Sequence, residues 1–327
     1  MAATKDPAGP THVIVLAGGL SHERDVSLRS GRRVAQALRE AGHAVTESDV
    51  NAQLLDVIAG MDDPIVFPVL HGGAGEDGAL REVLDVLGVE YVGSPGRASH
   101  VAFDKAVASP LIAAAGHATP RQAALPQDMF RELGARALVD ALAAGIGFPM
   151  MVKPAMSGSS LGCTRVDNAA ALPAAIVTAF GYGDVAIVEE FIEGRELAVS
   201  VVDLGRGPEA LPAVEIQPLS GSYDYAARYT AGETRFIAPA DLTPDLAARC
   251  SELALAAHRI LGLRDISRTD LIIRGGVPYF LEVNVAPGMT ETSLVPLAIE
   301  AGGLAFGDVC SALVATARAR RAAAAPA

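Results

Sequence analysis

The sequence predicts an α/β chain whose N-terminal part is a doubly wound parallel sheet, and three observations carry that prediction. Short apolar runs alternate with amphipathic ones from His12 onward, which is the pattern of βαβ units. The first apolar run passes through Gly18-Gly19 straight into a helical pattern, a strand, glycine turn and helix in succession. Towards the C-terminus, two alternating runs flank Gly275-Gly276 and read as a β-hairpin. At 327 residues the chain exceeds what one core comfortably holds, so two or three domains are expected.

In order, His12–Ala17 is a strand, followed by a helix with Val34, Leu38 and Ala41 on one face and Gly42 as its stop. Glu23 falls in the turn between them, at the carboxyl end of the strand. Open α/β sheets bind ligands there, and a helix-capping carboxylate would look the same. Strands at Ala44–Val50 and Ile65–Leu70 continue the pattern. The third runs into His71-Gly-Gly-Ala-Gly-Glu-Asp-Gly78, glycine-dense enough for backbone amides to approach a ligand. His71 reads either as a ligand to an anionic substrate or as a hydrogen-bonded loop histidine. The helix Ala79–Leu87 places Leu80, Val83, Leu84 and Leu87 at core spacing, and Tyr91–Pro95 marks a domain boundary.

A helical stretch from Ser99 to Ala115 carries Lys105, a solvated lysine by default, and Pro110 interrupts it. The strand Phe148–Val152 leads into Lys153 and a run of small residues through Gly162. That run reads as a turn, or as a flap able to fold over phosphates with amides, hydroxyls and one cation. Val185–Ile192 is a strand in which the adjacent carboxylates of Glu189 and Glu190 call for an explanation, and a further strand runs from Arg195 to Leu204. Residues 220–239 have no apolar period, and a loop of about 20 residues in a compact domain is typically a lid or binding loop. Tyr223-Asp-Tyr225 and Arg228-Tyr229 are its working residues. A helix Thr243–Leu261, the hairpin and a terminal helix follow, with 318–327 read as a frayed tail.

Composition excludes several classes. A net charge of −12 disfavours nucleic acid as a partner. Three cysteines without CxxC spacing fit a reducing cytoplasm, and no apolar run suits a signal peptide or membrane span.

The hairpin carries the chemistry. A three-residue loop, 275 to 277, sets Asp270 opposite Glu282 and Arg268 opposite Asn284, so that one face holds two carboxylates, a carboxamide and a guanidinium. All-oxygen donors of this kind suit Mg²⁺ shared with substrate phosphates; a solvated surface hairpin is the alternative.

Gly18–Ser27, His71–Gly78, Asp104-Lys105, Val152-Lys-Pro154 with Gly158–Gly162, Tyr223–Tyr225 with Arg228-Tyr229, Ser267–Asp270, and Glu282–Thr290 with Ser293–Pro296 together resemble the D-alanine:D-alanine ligases of the ATP-grasp superfamily. The resemblance covers nearly the whole chain. It implies an ATP-grasp fold in which a Rossmann-like substrate domain (1–95) precedes two α+β domains enclosing the ATP site. These are a central lid domain (96–190) and a C-terminal catalytic domain (191–327) whose omega loop is 220–239. It also implies a cytoplasmic, homodimeric enzyme of peptidoglycan synthesis, acting on D-alanine and ATP with two Mg²⁺ ions, Mn²⁺ being an acceptable substitute. A related ligase joining another D-amino acid, or serving antibiotic biosynthesis or resistance, is the alternative.

Carried across residue by residue, the resemblance gives Lys105, Lys153, Ser160 and Arg228 to the ATP phosphates. Glu189, Glu190, Phe191 and Ile192 would receive adenine, and Glu196 the ribose. Asp270, Glu282 and Asn284 would bind the metals. Glu23 would hold the ammonium of the first D-alanine and His71 would lie near its carboxylate, while Ser293 and Leu294 would take the carboxylate of the second. Arg268 and the Gly288 amide would stabilise the tetrahedral oxyanion, and Ser159 and Tyr229 would link Glu23 to the lid. Three positions depart from the common pattern: Asp25 for Glu, Arg228 for Lys and Ser157 for Glu.

Overall fold

The strand His12–Leu16, with an unbroken aliphatic run from Val13 to Leu16, forms β1 at the centre of a parallel sheet, because strands covered on both faces are apolar at successive positions. In this computed structural model, which describes residues 11–219 and 232–324, β1 lies between β2 (Ala44–Ser48) and β3 (Ile65–Pro68). Helix α1 (Arg24–Glu40), the short α2 (Leu54–Ala59) and α3 (Ala79–Val86) complete this unit. Gly31 on α1 lies against β1, where a Cβ would fall 2.3 Å from that of Ala17, so the helix packs closely on the strand end.

Helix α3 buries a different face from the expected one. Leu84 is buried, but Val83 and Leu87 are exposed and Arg81 is one of the largest fully buried side chains. Apolar spacing alone identified the helix but not its rotation.

The stretch after Pro95 is two helices, α4 (Gly96–Phe103) and α5 (Lys105–Ala114). The break falls at Asp104, whose carboxylate accepts from the Ala106 amide as an N-cap, rather than at Pro110, which sits inside α5. Both helices pack on β13 of the large sheet described below.

A second, antiparallel sheet has the order β4-β7-β5-β6, formed by β4 (Gln122–Pro126), β5 (Met150–Pro154), β6 (Thr164–Val166) and β7 (Val185–Glu190). Helices α6 (Gln127–Leu133), α7 (Ala135–Gly145) and α8 (Leu172–Phe180) accompany it, and Val139, Leu142, Met150, Val152, Ile176 and Val188 form its core.

The third sheet has the order β11-β10-β8-β12-β13 with β9 beside β8. Its strands are β8 (Arg195–Asp203), β9 (Pro208–Ala210), β10 (Val214–Pro218), β11 (Thr234–Ile237), β12 (Ile266–Arg274) and β13 (Val277–Asn284). Strand β11 lies within the segment expected to be loop throughout. It pairs with β10 through Phe236 and Ile216, an apolar contact that fixes this part of the segment to the sheet.

The β12–β13 turn also differs from expectation. Gly275 and Gly276 both have positive φ, 57° and 77°, as a two-residue hairpin turn requires, so Arg274 pairs with Val277. A bulge between Asp270 and Leu271 then inserts one residue and restores the predicted pairs, Asp270 with Glu282 and Arg268 with Asn284.

Helices α9 (Pro244–Ile260), α10 (Leu294–Ala301) and α11 (Phe306–Ala324) finish the chain. Residues 318–324 of the predicted frayed tail are the last part of α11, which packs on α1. Arg320 holds it down by paired contacts to Asp265 and an ion pair with Glu90 at 3.0 Å. Among the described residues no single helix is long and apolar enough to cross a membrane.

Candidate active site

Glu23 stands at the N-cap of α1 yet makes no side-chain cap bond. Its Oε1 accepts from the Ser159 hydroxyl at 2.6 Å, and Oε2 lies against Gly72 and Gly158, where a Cβ would come within 2.7 and 3.2 Å. Of the two readings of Glu23, the capping one therefore fails. Ser159 reaches it from the flap between β5 and β6, where Ser159 and Ser160 both take left-handed φ values of 54° and 58°. Consecutive non-glycine residues in that region carry backbone strain of the kind found at ligand clamps.

His71 is buried, and both ring nitrogens are engaged. The Ala286 carbonyl, 2.9 Å from Nδ1, can only accept, so Nδ1 carries the proton. Nε2 then accepts from the Ser30 hydroxyl at 3.1 Å, and Ser30 Oγ accepts from the Met289 amide at 3.1 Å. Burial pushes the imidazole below its ordinary pKa against the opposing pull of Glu23, so the ring is neutral. The chain from Met289 through Ser30 and His71 to Ala286 fixes the segment that carries Gly288 to the N-terminal sheet.

Glu76, from the same glycine-dense loop, is a site residue that motif reading passed over. It is buried on the wall of the cleft, 3.5 Å from Asn284 Nδ2. Burial foremost, with the Glu23 carboxylate next, raises its pKa from 4.5 to about 7, while the Gly72 amide and Lys105 work in the other direction. No periodicity marks such a residue; the only available signal was a carboxylate inside a loop in which four of eight residues are glycine.

Lys105, the first residue of α5, is buried rather than solvated. Its ammonium donates to the Ser157 carbonyl at 2.6 Å and lies 3.1 Å from Glu282 Oε2. Arg268 forms a two-pronged pair with Asp270, at 2.6 and 2.7 Å. Asn284 Oδ1 accepts from the Ala286 amide at 2.8 Å. Ser293 precedes α10, and its hydroxyl exchanges hydrogen bonds with Thr290, 2.8 Å from Oγ1 and 3.1 Å from the amide. Gly288 lies so close that a Cβ there would stand 2.7 Å from Ser293 Oγ.

These elements enclose a cleft of about 500 Å³. Glu23, His71, Lys105, Ser159, Arg268, Glu282, Asn284, Gly288, Ser293 and Leu294 line it. The remaining predicted residues lie outside that lining. Asp270 adjoins it through Arg268, and Ser160 follows Ser159 in the flap. Lys153 forms a buried pair with Glu189 at 2.6 Å; burial pushes its ammonium down, but Glu189 beside it holds it above its ordinary value. Glu190 is held below the usual carboxylate range chiefly by the hydrogen bond from Arg274 at 2.6 Å. The Phe191 ring carries the Arg165 guanidinium 4.4 Å from its centroid, Ile192 is buried and Glu196 lies on β8. Arg228 and Tyr229, with Tyr223–Tyr225, lie outside the described residues.

Among the described residues no three His, Cys, Asp or Glu side chains gather in a metal-binding group. The predicted set contains only two of that class, Asp270 and Glu282, with Asn284 as the third. Its donors are all oxygen, as hard divalent cations prefer, and Glu282 already attracts a cation in Lys105. The residues fit Mg²⁺.

A family model described as the D-ala D-ala ligase C-terminus matches residues 111–315. The D-alanine–D-alanine ligase of Desulforudis audaxviator is 40% identical over 309 residues, covering 94% of this chain and 98% of that protein. Among solved structures, the D-alanine–D-alanine ligase of Bacillus anthracis complexed with ATP superposes with a TM-score of 0.80 at 26% identity, over 96% of this chain and 100% of that one. The VanG D-Ala:D-Ser ligase of Enterococcus faecalis gives a TM-score of 0.82 at 27% identity, over 94% and 99%.

Proposed function

This chain belongs to the D-alanine–D-alanine ligase family of ATP-grasp enzymes, and from that premise we propose that it joins two D-alanines into D-alanyl-D-alanine with hydrolysis of ATP to ADP and phosphate, for peptidoglycan precursors. The observation that supports this most is the pairing of Asp270 with Glu282 and Arg268 with Asn284 at a cleft that Glu23 and Lys105 also line.

A carboxylate is a poor electrophile, so a carboxylate oxygen of the first D-alanine attacks the γ-phosphorus of ATP. The bond to the β,γ-bridging oxygen breaks, ADP leaves and an acyl phosphate forms. The amine of the second D-alanine, having lost a proton, attacks the carbonyl carbon; the tetrahedral intermediate then expels phosphate. Glu23 holds the first ammonium, and its bond to Ser159 ties it to the flap. Lys105 and Lys153 place cations beside the phosphates, with Ser160 and Arg228 assisting. Glu189 to Ile192 receive adenine and Glu196 the ribose. Arg268 and the Gly288 amide face the developing oxyanion, His71 and Ser30 steady the Gly288 segment, and the N-terminus of α10 at Ser293-Leu294 suits a substrate carboxylate. Two Mg²⁺ ions, held by Asp270, Glu282 and Asn284, supply charge neutralisation on the phosphates. Tyr229, which lies outside the described residues, would join Ser159 in linking Glu23 to the lid. The enzyme works as a cytoplasmic homodimer, since its substrates are cytoplasmic metabolites, without nucleic-acid or membrane partners.

The test is phosphate release from ATP against D-alanine, D-serine and D-lactate as acceptors, with product identification by mass. D-alanyl-D-alanine as the main product at neutral pH is expected. Faster synthesis with either other acceptor at equal concentration overturns the proposed specificity.

A further inference from the structure

Among the described residues the cleft is lined by the side-chain cations Arg29, Lys105 and Arg268. Lys105 lies on Glu282 and Arg268 on Asp270, and both are buried. Arg29, on α1, is exposed and makes no hydrogen bond or ion pair. A solvated arginine of this kind is ordinary on an open surface. On the wall of a substrate cleft it is the cation that can take an incoming anion without giving up a partner.

The position of Arg29 on α1 indicates which anion. Glu23, Val26 and Arg29 all line the cleft, at the three-residue spacing that keeps side chains on one helical stripe. Their neighbours fasten α1 to the segment after Gly288: Ser30 Oγ accepts from the Met289 amide at 3.1 Å, and Arg33 Nη1 donates to the Met289 carbonyl at 3.1 Å. Thr290 and Ser293, further along that segment, line the same cleft. Six residues at about 1.5 Å of rise each set Arg29 about 9 Å along the helix from Glu23. A dipeptide of about 3.5 Å per residue spans about 7 Å from its ammonium to its carboxylate, and the long arginine side chain covers the difference. Glu23 and Arg29 are thus spaced to hold the two ends of one dipeptide.

Charge accounting points the same way. In the reading above, Lys105, Lys153 and Arg228 face the phosphates, and the carboxylate of the first D-alanine becomes an acyl phosphate beside Arg268. The carboxylate of the second is met only by the Ser293 hydroxyl and the partial charge at the N-terminus of α10. One substrate anion lacks a full counter-charge, and one cleft cation lacks a partner.

We propose that Arg29 binds the carboxylate of the acceptor D-alanine, which makes it a specificity-determining residue that selects acceptors carrying a carboxylate; this rests on the ligase reading. A guanidinium offers two parallel N–H donors to a carboxylate, and an uncharged carboxamide in the same place gains neither the second acceptor oxygen nor the charge.

The experiment is a competition. D-alanine and D-alaninamide are mixed with ATP and Mg²⁺ at one pH; the amide has no carboxylate to activate, so it serves only as acceptor. The ratio of dipeptide to dipeptide amide is read by mass. It is internal to each reaction, so it does not depend on how much of a variant is folded, and the intrinsic reactivity of the two amines cancels between variants. R29Q should lower the ratio by about tenfold, the low end for a hydrogen bond to a charged group, with KM for ATP unchanged, while R29K keeps the charge and most of the ratio. An R29Q ratio equal to that of the unmodified protein, or an effect confined to KM for ATP, overturns the role of Arg29 and leaves the ligase reading standing. An unmodified protein that forms neither product overturns both.

Discussion

Replacing Glu76 by Gln tests whether a functional carboxyl group is held in the cleft at the expense of stability. In the folded chain its pKa lies at about 7 instead of 4.5, mainly through burial and then through Glu23. A carboxyl raised in the folded state contributes fully to stability below the unfolded value near 4.5, and that contribution is lost as pH rises through about 7. At about 1.4 kcal/mol per pH unit the loss amounts to about 3 kcal/mol above pH 8, an upper figure because the charged form can draw in water. Gln can still accept from the Gly72 amide and from Asn284 Nδ2 but never ionises. Urea unfolding of both proteins, without metal or nucleotide, should show equal stability near pH 4.5 and a growing advantage for E76Q up to pH 8, accompanied by a fall in turnover. A stability difference that does not change between pH 4.5 and 8, or E76Q being the weaker protein at pH 8, would refute the reasoning.

Ser30→Ala removes the acceptor for the Met289 amide and the partner of His71 Nε2, and should cost about 1–3 kcal/mol while lowering kcat as the Gly288 segment loosens; unchanged Tm and kinetics would rule out this positioning role. Lys153→Met leaves Glu189 buried without its 2.6 Å partner and should lower stability by about 3–5 kcal/mol, whereas replacing both with apolar residues should recover most of it, measured by urea midpoints. Glu282→Gln should abolish turnover with the fold intact by circular dichroism; wild-type phosphate release with the same Mg²⁺ dependence would remove Glu282 from the proposed metal set.

Much of this was legible in the sequence where local rules decide the outcome. The strand, glycine turn and helix around Glu23 follow from apolar period and glycine alone. The hairpin was legible for a subtler reason: the two-glycine turn is one residue shorter than read, and the bulge at Asp270/Leu271 compensates, so Asp270 and Glu282 meet anyway. Where burial depends on distant packing, local rules fail. The spacing in α3 names Val83 and Leu87 as core, yet both are exposed and the charged Arg81 turns inward. The run from Gln127 to Gly145 forms α6 and α7 without a strong apolar stripe to announce them. Glu76 becomes visible only once Glu23, Lys105 and Asn284, far apart in the chain, converge on it.

That convergence also constrains how the site works. Several proposed functional groups have a partner from the site itself: Lys105 lies on Glu282, Arg268 on Asp270, and Ser159 on Glu23. Leaving charges of this kind unpaired in a half-buried cleft would cost several kcal/mol each, of order 3–5 where the partner is fully removed. The same pairs place cations against the carboxylates proposed for metal, and carboxylates against the cations proposed for phosphate and oxyanion. A divalent cation held by Asp270 and Glu282 would neutralise those carboxylates, and Arg268 and Lys105 would then be available to negative charge on the phosphates. The proposed metal ligands and the proposed phosphate-binding cations are thus each other's ion-pair partners, so the proposed metal and nucleotide sites are electrostatically coupled.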